Sequence, residues 1–170
     1  MTVGKSERVT QDRVIALFRK ELGYRFLGDR SDRDNSNIEE SLLSEYLVRV
    51  GYSEATTSRA LYLLRTEANH PNRSLYENNK AVYALLRYGV KVKTAAGEDH
   101  ETVRVIDWSR PEQNDFAIAE EVTLRGGRER RPDLVLYVNG IALAVIELKN
   151  SRVSIGKGIR QLLSNQKKDW

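Results

Sequence analysis

Cysteine is absent from the sequence, and histidine occurs only twice, as His70 and His100. Without cysteine the chain can form neither a disulfide nor a thiol nucleophile, and a zinc site has almost no ligands to use. Any metal ion would therefore have to be bound by carboxylate oxygens. These absences exclude thiol enzymes and cysteine-rich zinc modules.

Long apolar runs are also absent. No stretch approaches the roughly 18 consecutive apolar residues of a transmembrane helix, and the opening MTVGKSERVTQDR lacks the apolar core of a signal peptide. The 170 residues are 40% hydrophobic and 31% charged, which is enough apolar side chain for one folded domain. We therefore expect a soluble, cytoplasmic protein.

Charge is distributed unevenly along the chain. Residues 1–124 contain 18 Lys and Arg against 20 Asp and Glu, whereas residues 125–170 contain 10 against 4, so the net charges are −2 and +6. Clustered basic side chains favour a polyanionic partner, because neutralised phosphates release their counterions. The alternative is an ordinary solvated surface.

Helical periodicity dominates the first half of the sequence. The spacing predicts a helix over about residues 7–22 and three more around residues 42–47, 60–64 and 82–86. Gly23, Gly51 and Gly89 are placed to end helices, and residues 72–74 offer an N-cap.

From Gly89 onward the pattern changes to short β-rich runs, VKVKT, ETVRVIDW and DFAIAEEVTL, then an apolar hairpin and the basic helix GKGIRQLLSNQKKDW. These elements predict an α/β fold, with a mixed sheet flanked by helices and a helical block between the first helix and the sheet. We expect one domain over residues 1–170, helical over about 1–90, with the sheet and following helix over about 91–170. The sequence ends within a helix-compatible run, so we expect it to be part of a longer polypeptide.

The hairpin segment, RPDLVLYVNGIALAVIELKNS, carries charged residues at both ends of an apolar pattern. Asn139-Gly140 is a hairpin turn signal, but a two-residue turn would place Asp133 and Glu147 on opposite faces. A three-residue loop closed by a bulge at Gly140 would pair Asp133 with Val145 and bring both carboxylates to one face. We therefore predict the bulged loop.

Two carboxylates, from Asp133 and Glu147, and the backbone carbonyl of Leu148 form a set of hard oxygen ligands suited to Mg²⁺. Lys149 points the same way as Glu147 in an extended strand, where its charge could stabilise a phosphorane transition state or position the attacking water. The predicted chemistry is hydrolysis of a phosphodiester. The plain structural interpretation is that Glu147 and Lys149 are the solvated end of an edge strand.

The combination of Pro132, Asp133, Glu147 and Lys149 resembles the PD-(D/E)xK nuclease core. The segments IDW, PEQNDFAIAEEVTLRG and RPDLVLYVNGIALAVIELKNS resemble the N-terminal nuclease region of the R subunit of type I restriction-modification enzymes. The resemblance covers most of the chain, and it is densest from about Val105 to Ser151.

This resemblance implies a restriction-endonuclease-like fold and Mg²⁺-dependent cleavage of double-stranded DNA, with Asp133, Glu147 and Lys149 as the catalytic residues. It also implies helicase-like motor domains after residue 170, and partners that supply modification (methyltransferase) and specificity. The motor would use ATP, but the chain contains no G-x-x-x-x-G-K-S/T motif, so we expect no ATP site in this part.

Accessory residues follow from the same resemblance and from position. The family carries Gln-x-x-x-Tyr after the hairpin, and here Gln161 is present whereas Asn165 replaces the tyrosine. Glu7 could extend from the first helix as an additional acidic ligand, or could simply stabilise the first turn of that helix. The basic residues flanking the hairpin are candidates for DNA phosphate contacts: Arg128, Arg130, Arg131, Lys157 and Arg160.

Two other functions remain open at the level of the sequence. One is a module with a nuclease-like fold that docks DNA or a partner without cleavage, which the complete Asp133, Glu147 and Lys149 set argues against. The other is a different PD-(D/E)xK nuclease, such as a stand-alone repair or restriction enzyme.

Overall fold

A computed structural model describes residues 7–32, 35–93, 97, 99–123, 131–148, 156, 159, 160 and 163. The chain divides into two compact units: a sheet unit, drawn from residues 1–36, 116–137 and 143–170, and a helical unit, drawn from residues 37–115 and 138–142. This division differs from the boundary expected near residue 90, because the first helix belongs with the sheet. Most strands of the sheet unit lie about 100 or more residues after the first helix, and the apolar periodicity of a helix cannot reveal such distant partners.

The sheet unit begins with α1 (Glu7–Lys20) and β1 (Arg25–Asp29), and the chain returns to it with β4 (Phe116–Glu120), β5 (Leu134–Val138) and β6 (Ile141–Ile146). These strands form a four-stranded sheet in the order β1-β4-β5-β6. β1 runs parallel to β4, with a shift of register at its end, where Gly28 has a φ of +82°. The sheet is mixed, as predicted, but the sequence interpretation missed β1.

The apolar core of the sheet unit lies between α1 and one face of the sheet. Ile15 of α1 is buried with Ile118 and Leu134. Further side chains pack against this cluster: Val14, Phe18, Tyr24, Phe26, Leu136, Ile146 and Leu148. The helical spacing of Ile15, Val14 and Phe18 thus produces the face that docks α1 on the strands.

The helical unit contains α2 (Glu40–Arg49), α3 (Glu54–Ala68) and α4 (Leu75–Tyr88), followed by an antiparallel pair of short strands, β2 (Val90–Val92) and β3 (Glu101–Val103). A 3-10 turn follows at Pro111–Gln113. Leu43, Leu47 and Leu64 are fully buried in its core. Within the part of the chain that the structure describes, no helix combines the length and apolar character that a membrane span requires.

Local signals set the helix ends. Ser53 caps α3 by accepting a hydrogen bond from the backbone N–H of Thr56. Ser74 and Glu77 form a reciprocal capping box at the start of α4, which confirms the N-cap predicted within residues 72–74. The backbone N–H of Ser74 binds the Glu77 carboxylate, and this hydrogen bond lowers the pKa of Glu77.

Candidate active site at the open end of the hairpin

Acidic residues lie along one edge of the sheet, which here means the row of strand ends where β1 and β4 finish and where the β5–β6 hairpin opens. Asp29 ends β1 opposite Glu120, the last residue of the parallel strand β4. β5 is antiparallel to β4, because the backbone N–H of Glu121 donates to the carbonyl of Asp133 (3.0 Å) and that of Asn139 donates to Asp115 (2.7 Å). Asp133 therefore lies at the same edge, and so does Glu147, which follows β6. We call this edge the open end of the hairpin.

Asp133 and the segment after β6 are in direct contact. The Asp133 carboxylate accepts a hydrogen bond from the backbone N–H of Leu148, with a distance of 2.6 Å from Oδ2 to the nitrogen. The bonded N–H belongs to the peptide that joins Glu147 to Leu148, so residues 15 positions apart in sequence meet at one point. The backbone next to Glu147 therefore lies against the Asp133 carboxylate.

The turn that produces this contact is different from the one predicted. β5 ends at Val138 and β6 begins at Ile141, so the loop has two residues, and both Asn139 (φ +50°) and Gly140 (φ +82°) are left-handed. These values are typical of a type I′ turn, whose twist matches that of the strands. The bulged three-residue loop is therefore wrong. The Asn-Gly pair itself favours this tight turn, and the longer loop was predicted only because we required regular alternation as far as Glu147. Hydrogen bonds of the Asn139 side chain to Val105, Asn114 and Asp115 stabilise the turn further.

The burial pattern along β6 departs from the regular alternation that would place Asp133 and Glu147 on opposite faces of the sheet. Strict alternation from a two-residue turn would put Val145 on the face of Leu134 and Ile146 on the other face. Instead Val145 is 53% exposed, whereas Ile146 and Leu148 pack against the cluster that contains Leu134. Alternation is therefore interrupted within β6, where residues 143–145 are all exposed.

The side chains next to the carboxylates give their direction. Asp133 precedes Leu134, and Glu147 lies between Ile146 and Leu148, and these three apolar residues belong to the same packed cluster. Because neighbours in an extended chain point to opposite sides, we expect Asp133 and Glu147 both to project away from that cluster. Both side chains are half-buried.

The donor set at the open end fits a hard cation in its chemistry. One oxygen of Asp133 is used by the Leu148 amide, which leaves the other oxygen of that carboxylate as a ligand beside Glu147. Among the described residues, no three His, Cys, Asp or Glu side chains converge to hold a metal ion. A site here would thus use two carboxylates, backbone carbonyl oxygen and water, as Mg²⁺ commonly does.

A second polar cluster lies at the start of α1, where Gln11 was expected to share the face of Glu7, but its glutamate partners were not predicted. Glu120 is only 7% exposed, and its carboxylate accepts hydrogen bonds from Arg8 (2.8 Å) and from the amide of Gln11 (3.0 Å), which is 4% exposed. The hydrogen bond and charge of Glu120 raise the pKa of Arg8. The sequence signals were the position of Gln11 one helical turn after Glu7 and a pair of consecutive glutamates at the end of an apolar strand.

Glu121 continues this cluster toward the hairpin. It is a non-glycine residue with a φ of +51°, and its carboxylate forms an ion pair with Arg131 (3.0 Å). The amide of Gln11 also donates to Glu121 (3.4 Å). Arg131, expected as a candidate for phosphate contact, is therefore engaged by a carboxylate of its own chain.

The remaining predicted residues are placed as follows. Glu7 is exposed at the first residue of α1, while Arg8 and Gln11 both reach Glu120 of the sheet. Arg160 is exposed and helical, which agrees with the helix predicted after the hairpin. Five candidates lie outside the described residues: Arg128, Arg130, Lys149, Lys157 and Gln161.

Comparison with known proteins identifies similar sequences. A family model described as "Type I restriction enzyme R protein N terminus" matches residues 4–170. The chain is 40% identical over 80 residues to the type I restriction enzyme HindI endonuclease subunit of Haemophilus influenzae, a match covering 45% of this chain and 8% of that protein. It is 32% identical over 103 residues to a protein of Methanocaldococcus jannaschii provisionally named type I restriction enzyme MjaIXP endonuclease subunit, covering 57% of this chain and 10% of that protein. The matched part of the chain thus spans about a tenth of the length of these curated relatives.

Proposed function

The chain belongs to the family of type I restriction enzyme R protein N termini, and on that premise we propose that the open end of the hairpin is the Mg²⁺-dependent active site of a DNA endonuclease. The proposal includes a restriction-endonuclease-like core built on β4, β5 and β6. The observation that carries it is the 2.6 Å hydrogen bond between Asp133 and the Leu148 amide. This bond brings together the two carboxyl-bearing segments that the motif requires. The names of both relatives, which are endonuclease subunits, support the same reaction class.

The residues of the chain have distinct roles in this proposal. Asp133, Glu147 and the carbonyl of Leu148 would hold Mg²⁺, and the hydrogen bond from Leu148 fixes the orientation of the Asp133 carboxylate. Bound Mg²⁺ supplies polarisation of the scissile phosphate and a lower pKa for a coordinated water. Lys149 would place its ammonium charge beside the phosphate oxygens, where negative charge develops. Gln161 and Glu7 would be accessory, and basic residues around the hairpin would bind the DNA backbone.

The whole protein would extend beyond this chain. In it, we expect motor domains that use ATP to translocate double-stranded DNA, and subunits that supply modification and specificity. The domain described here would then cut after translocation.

The test is cleavage of plasmid DNA by the complete complex in Mg²⁺. We expect Asp133→Asn, Glu147→Gln and Lys149→Ala each to reduce the cleavage rate by about a hundredfold or more, since each removes a metal ligand or a charge used in the transition state. ATP hydrolysis should remain at the wild-type level, which separates loss of the nuclease from damage to the motor.

The matched control is Glu40→Gln. Glu40 is an exposed glutamate of α2 that pairs with Arg65 (3.4 Å), so its neutralisation should leave cleavage unchanged. Binding of Mn²⁺ to the complete protein, measured by calorimetry, provides a readout other than activity and should weaken in Asp133→Asn. Wild-type cleavage and wild-type Mn²⁺ binding by Asp133→Asn and Glu147→Gln would overturn the proposal.

A further inference from the structure

We infer that Glu121 is a positioning residue for Asp133, and that Arg131, unlike the other basic residues around the hairpin, acts through Glu121 rather than by contacting DNA. The inference deepens the proposed function and rests on it. It follows from the cluster that joins α1, the end of β4 and the start of β5: Arg8, Gln11, Glu120, Glu121 and Arg131.

The backbone of Glu121 is bonded directly to the backbone of the proposed metal ligand. Its N–H donates to the carbonyl of Asp133 at 3.0 Å, immediately after the end of β4 and before the start of β5 at the open end. Beyond it the chain leaves β4, so the position of Asp133 relative to the sheet depends on Glu121. Any rotation of the Glu121 peptide would be transmitted to Asp133.

The conformation of Glu121 is one that an L-residue adopts only when its surroundings hold it. Its φ of +51° lies in the left-handed region. Consecutive residues in a strand normally point to opposite faces, yet Glu120 and Glu121 both accept hydrogen bonds from the Gln11 amide (3.0 and 3.4 Å). The left-handed conformation turns the Glu121 side chain toward α1. There it meets a partner that is itself buried.

Arg131 makes a second connection between Glu121, which follows β4, and the residues that precede β5. Its Nε lies 3.0 Å from the Glu121 carboxylate, and it precedes Asp133 by two residues, with Pro132 between them. The fixed φ of Pro132 limits the freedom of this short connection. The start of β5 is thus joined to the end of β4 by two interactions. One is the ion pair between the Arg131 and Glu121 side chains, and the other is the backbone hydrogen bond from the Glu121 N–H to the Asp133 carbonyl.

The charge balance favours a link within the chain over a contact to DNA. Arg131 faces the Glu121 carboxylate and also interacts electrostatically with Asp29 at the same edge. A phosphate approaching Arg131 would meet the Glu121 carboxylate, which already forms an ion pair with the guanidinium. Loss of Arg131 should therefore alter the metal site before it alters DNA affinity.

The experiment is a double-mutant cycle in the complete complex with Glu121→Gln, Arg131→Gln and the double variant. We expect each single substitution to raise the Mg²⁺ concentration for half-maximal cleavage about tenfold, as removal of outer-shell partners commonly does. The double variant should be no worse than either single variant, because both remove the same link. DNA affinity and its salt dependence should stay within about twofold of wild type.

Arg65→Gln is the matched control, since it breaks an exposed ion pair in the helical unit and should leave the Mg²⁺ dependence unchanged. Arg131→Lys keeps the charge without the guanidinium fork, and it should give a smaller shift than Arg131→Gln. This variant also keeps the test decisive if Glu121→Gln fails to fold.

Two results would overturn the inference. One is a wild-type Mg²⁺ dependence in Arg131→Gln and Arg131→Lys. The other is weaker DNA binding by Arg131→Gln with a salt slope reduced by about 1, which is the signature of a lost phosphate contact. Asp133→Asn distinguishes this failure from that of the proposed function: if it is inactive while the Arg131 variants are normal, only the positioning role is wrong.

Discussion

The two ends of the β5–β6 hairpin differ in how their polar groups are used. At the turn, Asn139 is 0% exposed, and its amide is fully bonded: it donates to the carbonyl of Val105 (2.9 Å) and to Asn114 (2.8 Å), and accepts from the N–H of Asp115 (2.7 Å). At the open end, the half-buried Asp133 uses one carboxylate oxygen for the Leu148 amide. One end is a closed hydrogen-bond network, and the other retains ligand capacity.

The two ends of this hairpin therefore differ in purpose: the turn stabilises the fold, and the open end is the part that we propose binds a cation. Buried polar groups stabilise a fold only when every donor and acceptor has a partner, and the turn meets that condition. A site that binds a cation needs the opposite, namely oxygen atoms held in place but not consumed. Substitutions at the turn should therefore change the free energy of unfolding, whereas substitutions at the open end should change activity.

Asn139→Ala should give the largest loss of stability. It leaves the Val105 carbonyl and the Asp115 N–H without their buried partner and places a less tolerant residue at a φ of +50°, so we expect a cost of about 4 kcal/mol. Urea denaturation of the complete protein measures it. Asn139→Gly, which tolerates the backbone conformation, should cost about 1 kcal/mol less. A cost below about 1 kcal/mol for the alanine variant would contradict the importance of this network.

Gly140→Ala should cost about 3 kcal/mol, because the new Cβ would lie 2.7 Å from the carbonyl oxygen of Glu39 and 2.9 Å from the nitrogen of Leu43. Gly51→Ala is the matched control: Gly51 is also left-handed, at a φ of +104°, but its Cβ would meet nothing within 4 Å. We expect about 1 kcal/mol for the control. Equal losses of stability in the two variants would show that the backbone conformation, and not the close approach at the turn, limits substitution.

Asp133→Asn tests the open end from the stability side. The asparagine carbonyl can still accept from the Leu148 N–H, so the free energy of unfolding should change by less than about 1 kcal/mol although cleavage is lost. The comparison between the two ends would fail if this variant unfolded as readily as Asn139→Ala. Thermal unfolding of the two variants in parallel decides between these outcomes.

Acid sensitivity should belong mainly to the helical unit that contains the turn. The backbone N–H groups of Arg110 and Ser109 lower the pKa of Asp107, whose carbonyl is bound by the Asn114 side chain. A carboxyl with a lowered folded pKa contributes stability above its unfolded pKa of about 3.9, and this contribution is lost as the pH falls through that value toward the folded pKa.

The urea midpoint of the complete protein should therefore fall between about pH 5 and pH 3, and the fall should be smaller in Asp107→Asn. This is the smallest effect we expect. An identical fall in wild type and in Asp107→Asn would assign the acid sensitivity to other carboxylates, of which Asp29, with a pKa lowered by its hydrogen bonds from Ser31, is one candidate.

Much of the local structure was predictable because its causes lie within a few residues. The helices α1 to α4 follow their apolar periodicity, and the capping box of α4 is visible as Ser74 followed three residues later by Glu77. β1 was missed because five residues interrupted by Gly28 form a strand only when β4 is available as a partner. The paired strand, and not the local propensity, stabilises it.

The residues of the candidate site stay a prediction, and part of the geometry predicted for the hairpin was wrong. The motif brought Asp133 and Glu147 to attention, and the contact of Asp133 with Leu148 agrees with their being neighbours. The loop length was wrong because we required regular alternation to reach Glu147, whereas the structure interrupts alternation within β6 instead. We did not predict the pairings of Glu120, Glu121 and Arg131, because their partners lie on α1 or across the sheet.

Local patterns in the sequence specify which faces of the helices are apolar, where the hairpin lies and which charged residues flank it. They do so because apolar spacing, helix caps and turn propensity act over short distances along the chain. Folding determines which groups bind the buried side chain of Asn139 and which partners Glu120 and Glu121 acquire. Those outcomes depend on contacts between segments far apart in sequence: the Asn139 side chain with residues 105–115, and Gln11 of α1 with the glutamates that end β4. A buried polar group acquires its hydrogen-bond partner, and therefore its structural role, only when the chain folds.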